Sequence, residues 1–266
     1  MFSTDEIVIR DLATQAEYAA CVELQRDTWG RNFRETVPPS MLLVAQKVGG
    51  VAAGAFDRAG TLLGFVFGIT GVRRGEIVHW SDMLAVRASA QGRGIGRRLK
   101  EFQRAAVASV GARAILWTYD PLVARSAHLN FNVLGVRATE YVPDMYGSNT
   151  GSDLHGGGTD RLVVEWSVAE AELAARQREI VAARTSTDLV NAPVVEAETE
   201  ALIGTARHLR IPIPNDVASE AHLADDYRAR TRLALTAAMD AGYRIDGFMP
   251  DPGANRSYYL LQVQAK

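Results

Sequence analysis

The sequence contains only one cysteine, Cys21, among 266 residues. A single cysteine cannot form an intramolecular disulfide, so the fold cannot depend on a disulfide framework. We therefore expect a reducing, cytoplasmic setting. Cys21 lies next to Val22 and close to Leu24 in a segment with helical spacing. We interpret it as a packing residue in preference to a nucleophile.

Neither sign of charge is in large excess: 29 Lys and Arg residues stand against 31 Asp and Glu residues, and the net charge is −2. Such a chain has no general attraction for nucleic acid or for an anionic membrane. Long apolar runs are also lacking, since the stretch 62–72 is too short to span a bilayer and is interrupted by glycines. The first residues carry no secretory signal pattern, and no Cys/His spacing indicates a metal. We expect no nucleic-acid, membrane or metal partner.

What the sequence does contain is an alternation of strand and helix patterns. Apolar and alternating segments predict strands at 7–10, within 44–56, and at 62–69, 79–86, 114–119, 137–142 and 161–168. A capping box at Thr14 and Glu17 opens a helix that ends near Trp29, and Pro38 and Pro39 predict a loop. Further helices are predicted at 97–110 and 121–134, the first with a buried stripe of Leu99, Phe102, Ala106 and Val110. This order predicts an α/β protein (an α+β mixed sheet) with helices on the faces of the sheet.

A second region follows at 169–266. A charged helix is predicted at 169–183, a strand at 188–195, an extended proline-containing segment at 209–214, a helix at 225–241 and a hairpin from 243–249 and 258–263. This β-α-β-β unit is small for an independent core. We therefore expect two domains, 1–168 and 169–266, with the second packed on the first.

The most informative segment is the turn Gln91-Gly92-Arg93-Gly94-Ile95-Gly96, which lies between a predicted strand and a predicted helix. Glycines let backbone N–H groups turn toward a ligand and approach it closely. The start of the following helix adds free N–H groups and the positive end of its dipole. Nearby basic residues add positive charge: Arg93, Arg97, Arg98 and Lys100. Together these features predict a site for a pyrophosphate.

Two other phosphate-binding motifs do not fit this turn. A Walker loop ends in Gly-Lys-Ser/Thr, whereas Gly96 is followed by Arg97 and Arg98. A dinucleotide fingerprint has the spacing Gly-x-Gly-x-x-Gly early in a βαβ unit, whereas the glycines here are spaced Gly-x-Gly-x-Gly and follow several strands. The remaining alternative is an ordinary strand-to-helix turn without a ligand.

The strand residues Leu84-Ala85-Val86, followed by Gln91-x-x-Gly94-x-Gly96, resemble motif A of the GNAT superfamily of N-acetyltransferases. The resemblance spans roughly Ile7 to Val168. It implies the acyl-CoA N-acyltransferase fold and acetyl-CoA as the acyl donor. It further implies a set of CoA-binding residues: Leu84, Ala85, Val86, Gln91, Gly92, Arg93, Gly94, Ile95, Gly96 and Arg97. The region after Val168 resembles a C-terminal extension found in a subgroup of GNAT-like proteins.

The resemblance also implies direct attack by an amine, from a small molecule or a peptide, without a covalent residue. Two positions depart from the family pattern. Phe131 stands where a Tyr often acts as general acid, and Ala124 stands where an Asn is usual. Tyr119 is the candidate substitute for the acid, with Tyr141 and Tyr146 as further aromatic candidates. For each, a packing role is the alternative that we favour.

The fourth predicted strand supplies the candidates for a general base. Simple alternation places Trp80, Asp82 and Leu84 on one face, and His79, Ser81 and Met83 on the other. Asp82 is the first candidate, because an acid in an apolar strand needs a reason, and the alternative is a hydrogen-bonded or ion-paired Asp. His79 is the second candidate. His155, in a Gly-rich loop, is weaker.

Several functional interpretations stay open at this point. The first is an acetyltransferase with an unidentified amine acceptor. The second is a catalytically impaired acyl-CoA-binding module or sensor, as the departures at Phe131 and Ala124 suggest. The third, an interaction role, rests on the charged helix 169–183 alone. The acidic residues Asp144, Asp153 and Asp160 are compatible with a cationic acceptor, and a homodimer is compatible with the sequence.

Overall fold

A computed structural model describes residues 7–147, 151, 158–196, 201–251 and 253–264. The chain divides into two compact units. The first takes in the described residues of Met1–Trp117, Asn149–Gly156 and Ser167–Ala169, and the second those of Thr118–Ser148, Gly157–Trp166 and Glu170–Lys266.

The first unit is built on a mixed sheet with helices. Its elements are β1 (Val8–Asp11), α1 (Gln15–Trp29), α2 (Pro39–Lys47), β2 (Val51–Phe56), β3 (Leu62–Arg73), β4 (Glu76–Val86), α3 (Ile95–Ser109) and most of β5 (Ala114–Tyr119). Strands β1 to β4 pair antiparallel with their neighbours in sequence, whereas β4 and β5 pair in parallel. A parallel pair needs a crossover connection, and α3 is that connection. Apolar side chains of α1, α2, β3 and β4 form one buried core, which includes Cys21.

The second unit contains a strand pair, a three-stranded sheet and several helices. Its elements are α4 (Ala124–Ala127), a π-helical segment (His128–Leu134), β6 (Arg137–Val142), most of β7 (Arg161–Ser167), α5 (Glu170–Thr185), α6 (Thr187–Val190), β8 (His208–Pro214), a 3₁₀ segment (Val217–Leu223), α7 (Ala224–Asp240), β9 (Tyr243–Asp251) and β10 (Arg256–Val263). Strands β6 and β7 pair antiparallel, and the other sheet has the order β8-β10-β9. The predicted β-α-β-β order is therefore present as β8, α7, β9 and β10.

Local sequence signals account for the ends of several helices. The predicted capping box is confirmed: the backbone N–H of Glu17 donates to Thr14 Oγ1 at 3.2 Å, and Glu17 Oε2 accepts from the backbone N–H of Thr14 at 3.3 Å. Arg10 pairs with the same carboxylate at 2.7 Å, and this hydrogen bond lowers the pKa of Glu17 to about 2. Two donors at the start of α1 are thus satisfied by one side-chain pair.

Four predictions of local structure are wrong. The predicted loop at Pro38 and Pro39 is instead the start of α2, with Pro39 as its first residue, because the first helical position needs no N–H donor. Val44 consequently lies in α2 and not in the predicted strand. Residues 188–195 form no strand beyond a single bridge at Val194, because Ser186 caps the short helix α6 with its side chain. The sheet-facing stripe of α3 consists of Leu99, Gln103 and Val107, all fully buried, while Val110 is exposed. The buried face of α3 includes polar residues because polar side chains of β4, His79 and Ser81, pack against it.

The close approach of β3, β4 and α3 depends on the absence of a side chain at Gly68. A Cβ atom there would lie 2.3 Å from His79 Nε2 and 2.5 Å from the carbonyl oxygen of Trp80. We predict that Gly68→Ala lowers the free energy of unfolding by about 1–3 kcal/mol through overpacking. Urea denaturation measures the change.

The matched control for that variant is Gly71→Ala, three residues along the same strand. A Cβ atom at Gly71 would meet nothing within 4 Å, so this variant is expected to unfold with the midpoint of the wild type. Equal losses in both variants would contradict the packing argument.

Candidate active site

The Gly-rich turn places two left-handed glycines directly before α3. Gly92 has φ +75° and Gly94 has φ +72°, a region that residues with a Cβ atom rarely adopt. Gly94 is the N-cap of α3 and offers no side chain to the helix start. The first intrahelical hydrogen bond runs from the Arg98 N–H to the Gly94 carbonyl at 3.1 Å. The N–H groups of the first turn therefore have no acceptor within the helix, and a Cβ atom on Gly92 or Gly94 would meet nothing within 4 Å.

Buried contacts hold this turn in place from beneath. Ile95 and Ala90 are each 2% exposed, and the side-chain amide of Gln91 donates to the carbonyl of Val86 at 3.1 Å. Gly64 on β3 lets Ile95 pack closely, because a Cβ atom there would lie 3.4 Å from Ile95 Cγ2. The open side of the turn is therefore backed by a rigid strand and helix start.

The basic residues that the sequence places near the turn have different partners. Arg97 pairs with Glu101 at 2.8 Å on the exposed face of α3, and Arg98 donates to the carbonyl of Ile7 at 2.8 Å. Lys100 is buried and donates to Ser81 Oγ at 2.7 Å. The expectation that Lys100 adds charge at the surface of the turn is therefore wrong, while Arg93 is half-buried within the turn itself.

Strand β4 contains a bulge at Asp82. Phe67 of β3 pairs with Met83, but the next residue, Gly68, pairs with Ser81, so Asp82 is the extra residue. Ser81 contacts Lys100 of α3, whereas Met83 packs in the core with α1 and α2. The face-by-face alternation predicted for β4 is therefore wrong beyond Asp82, because a bulge shifts the side-chain phase by one residue.

The bulge coincides with the end of pairing between β4 and β5. Their parallel ladder runs from Val78 and Ala114 to Trp80 and Leu116. Along the described length of these two strands, β4 has no ladder partner on β5 after Trp80. The edge that carries Leu84 and Val86 consequently has main-chain groups without a strand neighbour on that side.

Asp82 is exposed, although the surrounding protein still desolvates it. This desolvation raises the pKa of its carboxyl, and the negative charge of Glu35 raises it further, against a hydrogen bond from Trp80. A carboxyl group that is accessible and less acidic than usual has the properties of a general base.

His79 is fully buried, in contrast to Asp82. Its Nδ1 atom lies 2.9 Å from Thr70 Oγ1, and its Nε2 atom lies 3.0 Å from the side-chain nitrogen of Gln103. Burial lowers the pKa of His79 to about 4, helped by the charge of Lys100. These contacts describe a neutral histidine that joins β4 to β3 and α3.

The burial of Lys100 is a feature that the sequence analysis missed. Its ammonium group lies 3.8 Å from the centroid of the Trp117 ring and has Ser81 as its hydrogen-bond acceptor. Burial lowers the pKa of Lys100 to about 7. Lysine is almost always exposed, so its helical position gave no warning of burial.

The aromatic candidates for a general acid lie in the second unit and are engaged. The Tyr119 hydroxyl lies 3.1 Å from that of Tyr259, which donates to the carbonyl of Pro121 at 2.7 Å. Burial raises the pKa of Tyr119 well above its usual value. Phe131 packs edge-on against Tyr259 with ring centroids 6.0 Å apart. Tyr259, which the sequence did not single out, thus ties together the two positions considered for the acid.

The acidic residues once considered for a cationic acceptor are engaged as well. Arg232 pairs with Asp160 at 2.5 Å and with Asp144 at 3.1 Å. Tyr141 donates to Asp160 at 2.6 Å. Both acids are therefore ion-paired with one arginine of α7, and Asp144 is also exposed. Asp153 and His155 lie outside the described residues.

Among the described residues, no group of three or more His, Cys, Asp or Glu side chains is arranged to hold a metal ion. None of the helices in the described ranges is long and apolar enough to cross a membrane.

The buried lysine gives a pH-dependent prediction. The Lys100 amine has a pKa of about 7 in the folded protein and 10.5 as its ordinary value. Between these values the unfolded chain binds more protons than the folded one, so the free energy of unfolding rises with pH there and is flat below pH 7. Relative to Lys100→Met, the wild type should gain stability with a slope approaching about 1.4 kcal/mol per pH unit. Parallel denaturation profiles of the two proteins between pH 7 and 10 would contradict this.

Comparisons with known proteins agree with the fold described above. No family model matches the sequence, and no curated protein matches it. Among solved structures, the NatC complex bound to Gag peptide and CoA contains a chain with a TM-score of 0.50 and 14% identity, covering 62% of this chain and 99% of that one. A GCN5-related N-acetyltransferase from Kribbella flavida has a TM-score of 0.46 and 22% identity over 62% and 99% of the two chains. The ribosomal-protein-S18-alanine N-acetyltransferase from Escherichia coli has a TM-score of 0.46 and 16% identity over 61% and 94%. Over the 62% of this chain that the likeness to the NatC structure covers, and with a bulged β4, a Gly-rich turn and α3 in this order, the chain has the acyl-CoA N-acyltransferase fold.

Proposed function

We propose that this protein transfers an acetyl group from acetyl-CoA to an amine by direct attack. The observation that carries the proposal is the left-handed Gly94 at the uncapped start of α3, immediately after a bulged strand. The acceptor is an amine of a small molecule or a peptide, and the single free cysteine suits a cytoplasmic setting. We further propose that 1–168 provides acyl-CoA binding and that 169–266 is a C-terminal extension.

The turn fits the pyrophosphate of CoA in both shape and charge. Gly92 and Gly94 leave open space where other residues would place a Cβ atom. The N–H groups at the start of α3 supply donors, and the helix dipole supplies partial positive charge. Arg93 adds a full charge within the turn. The NatC structure carries CoA, which supports the same ligand class here.

The strand before the turn fits the rest of the proposed ligand. The pantetheine arm contains amide groups, which can hydrogen-bond to main-chain groups on a strand edge. Leu84 and Val86 lie on the edge of β4 that has no strand neighbour on the β5 side. In this proposal they hold the arm, while Gln91 keeps the turn attached to β4 through Val86.

Asp82 is the proposed general base. It lies on the bulge two residues before Leu84, it is exposed, and its pKa is raised. It would accept a proton from the attacking amine, directly or through water. His79 is less suited to this role, because Thr70 and Gln103 occupy both of its ring nitrogens.

The proposal does not require a tyrosine at position 131. A thiol has a pKa of about 8.5, so a thiolate is a fair leaving group near neutral pH even without a protein acid. Tyr119 keeps its proton at neutral pH, as an acid must, but its hydroxyl is hydrogen-bonded to Tyr259. The departure at Phe131 is therefore compatible with turnover and does not by itself favour a sensor.

The binding half of the proposal is tested with two glycine variants. Gly94→Ala places a Cβ atom in the Gly-rich turn where the pyrophosphate is proposed to bind. Gly60→Ala is the control, because Gly60 has φ +80° and a Cβ atom there would also meet nothing within 4 Å, so alanine has the same unfavourable backbone conformation in another open turn. Titration calorimetry should show acetyl-CoA binding at least tenfold weaker in Gly94→Ala, about 1.4 kcal/mol, and unchanged in Gly60→Ala. Unchanged binding in both variants would place the ligand elsewhere.

The catalytic half is tested by release of free CoA across a panel of primary amines. Asp82→Asn should lower kcat/KM by roughly 100-fold or more, with little change in acetyl-CoA affinity. Glu35→Gln should keep activity and move the acidic limb of the pH–rate profile to lower pH, because the neighbouring negative charge that raises the pKa of Asp82 is gone. Firm acetyl-CoA binding without turnover of any amine would favour the sensor.

A further inference from the structure

The second unit contains a cavity between strand β8 and helix α7. It has a volume of about 240 Å³ and is partly open to solvent. Much of its wall is apolar, and the residues that form this part are Val195, Ile211, Ile213, Leu233 and Ala234. All of these except Leu233 are buried in the protein. The cavity therefore has the form of a binding site, and none of its lining residues belongs to the proposed CoA site.

The cavity lies where one edge of β8 loses its neighbour. The other edge pairs with β10 along the whole strand. On the free edge, Arg210 accepts from the N–H of Val195 at 2.8 Å and donates to the carbonyl of Pro193 at 2.9 Å, and no further bridge follows among the described residues. Main-chain groups of alternate residues point to the same edge of a strand. The carbonyl of Pro212, which lines the cavity, therefore lies on this edge as a hydrogen-bond acceptor.

A second polar group in the wall is the hydroxyl of Thr231 on α7. Thr231 is 3% exposed and lines the cavity. Its hydroxyl forms no hydrogen bond with a residue of the described chain, whereas the hydroxyl of Thr185 donates to the carbonyl of Val181 one turn earlier at 2.9 Å. The hydroxyl of Thr236, also on α7, has no partner either but is sealed from solvent. The Thr231 hydroxyl is not sealed in this way, so its accessible surface opens into the cavity.

The charged residues that line the cavity are exposed, and each already has a partner. Arg256 pairs with Glu196 at 2.9 Å, and Arg230 pairs with Asp226 at 2.9 Å. The buried part of the wall contributes only neutral groups. Burial of a charge without an opposite charge is unfavourable. A ligand that fills the cavity is therefore neutral.

The volume and the two polar groups define the ligand further. An apolar cavity of about 150 Å³ holds one benzene ring, so the larger volume of about 240 Å³ accommodates two fused rings. The carbonyl of Pro212 can only accept a hydrogen bond, whereas the hydroxyl of Thr231 can accept or donate one. A ligand with one O–H or N–H group is therefore compatible with both.

We propose that the cavity between β8 and α7 binds a neutral, mainly apolar molecule with the size of a bicyclic aromatic and one O–H or N–H group. The rings pack against the apolar side chains of the wall, such as Ile211, Ile213 and Ala234. The polar group forms a hydrogen bond with the hydroxyl of Thr231, which has no other partner. This site lies wholly in the second unit and requires neither acetyl-CoA nor an amine.

The experiment titrates the full chain with 2-naphthol in a calorimeter, without acetyl-CoA. We expect saturable binding of one molecule per chain. Naphthalene has the same rings without the hydroxyl and should bind about fivefold more weakly, because one hydrogen bond is lost. The anion 2-naphthoate should bind at least about tenfold more weakly than 2-naphthol, because its charge would be buried among apolar side chains.

Substitutions on α7 locate the ligand. Thr231→Val keeps the shape of the side chain and removes the hydroxyl, so 2-naphthol should bind about fivefold more weakly while naphthalene binds as before. Thr236→Val is the matched control, because it removes another hydroxyl without a partner from the same helix, outside the cavity. It should leave the binding of both compounds unchanged. Ala234→Leu fills part of the cavity and should weaken both compounds at least about tenfold.

Three results would overturn the proposal. Absence of saturable binding by both 2-naphthol and naphthalene would show that the cavity does not take a ligand of this class. Equal binding of 2-naphthol by Thr231→Val and Thr236→Val would place the ligand elsewhere, and this comparison stands even if Ala234→Leu does not fold. Tighter binding of 2-naphthoate than of 2-naphthol would contradict a neutral ligand. Each result leaves the acetyl-CoA titration of the glycine variants unaffected, so failure here is distinct from failure of the proposed acetyl transfer.

Discussion

The packing of α3 against β4 is the constraint on which the first unit depends. The contact is unusual because its centre is polar: Lys100 meets Ser81, and Gln103 meets His79. Buried polar groups need partners with defined geometry, whereas apolar groups tolerate sliding. These pairs therefore fix α3 along its axis as well as against the sheet. The position of the helix start, and with it the direction of its free N–H groups, follows from contacts one to two turns further along.

Much of the first unit could be read from the sequence because its signals are local. The capping box at Thr14, the apolar run of β3 and the glycines before α3 each act within a few residues, and each is present in the structure. The bulge at Asp82 could not be read, since a single extra residue leaves the composition of a strand unchanged. The burial of Lys100 could not be read either, because it depends on Trp117 in another strand.

The candidate site likewise contains some features that the sequence predicts and others that it does not. The glycines that form the cradle carry their conformational requirement in their own chemistry, so the sequence located the turn. The environments of Asp82, His79 and Tyr119 depend on partners far along the chain, such as Gln103 and Tyr259. Pattern reasoning could nominate these three residues but could not predict their hydrogen-bond partners or the direction of their pKa shifts. In the second unit, the pairing of acids with α7 shows the same limit, because Asp120 and Arg228 are 108 positions apart.

The bulge on β4 also has a consequence for how this strand tolerates change. Before Asp82, odd-numbered residues such as His79 and Ser81 are on the face of β4 that packs against α3. After Asp82, odd-numbered residues such as Met83 and Ala85 are on the opposite face, in the core with α1 and α2. The alternation of side chains between the two faces of β4 is therefore opposite in its two halves. Sliding β4 by one residue cannot satisfy both halves at once. The extra residue at Asp82 thus also fixes the register of β4 against its neighbours.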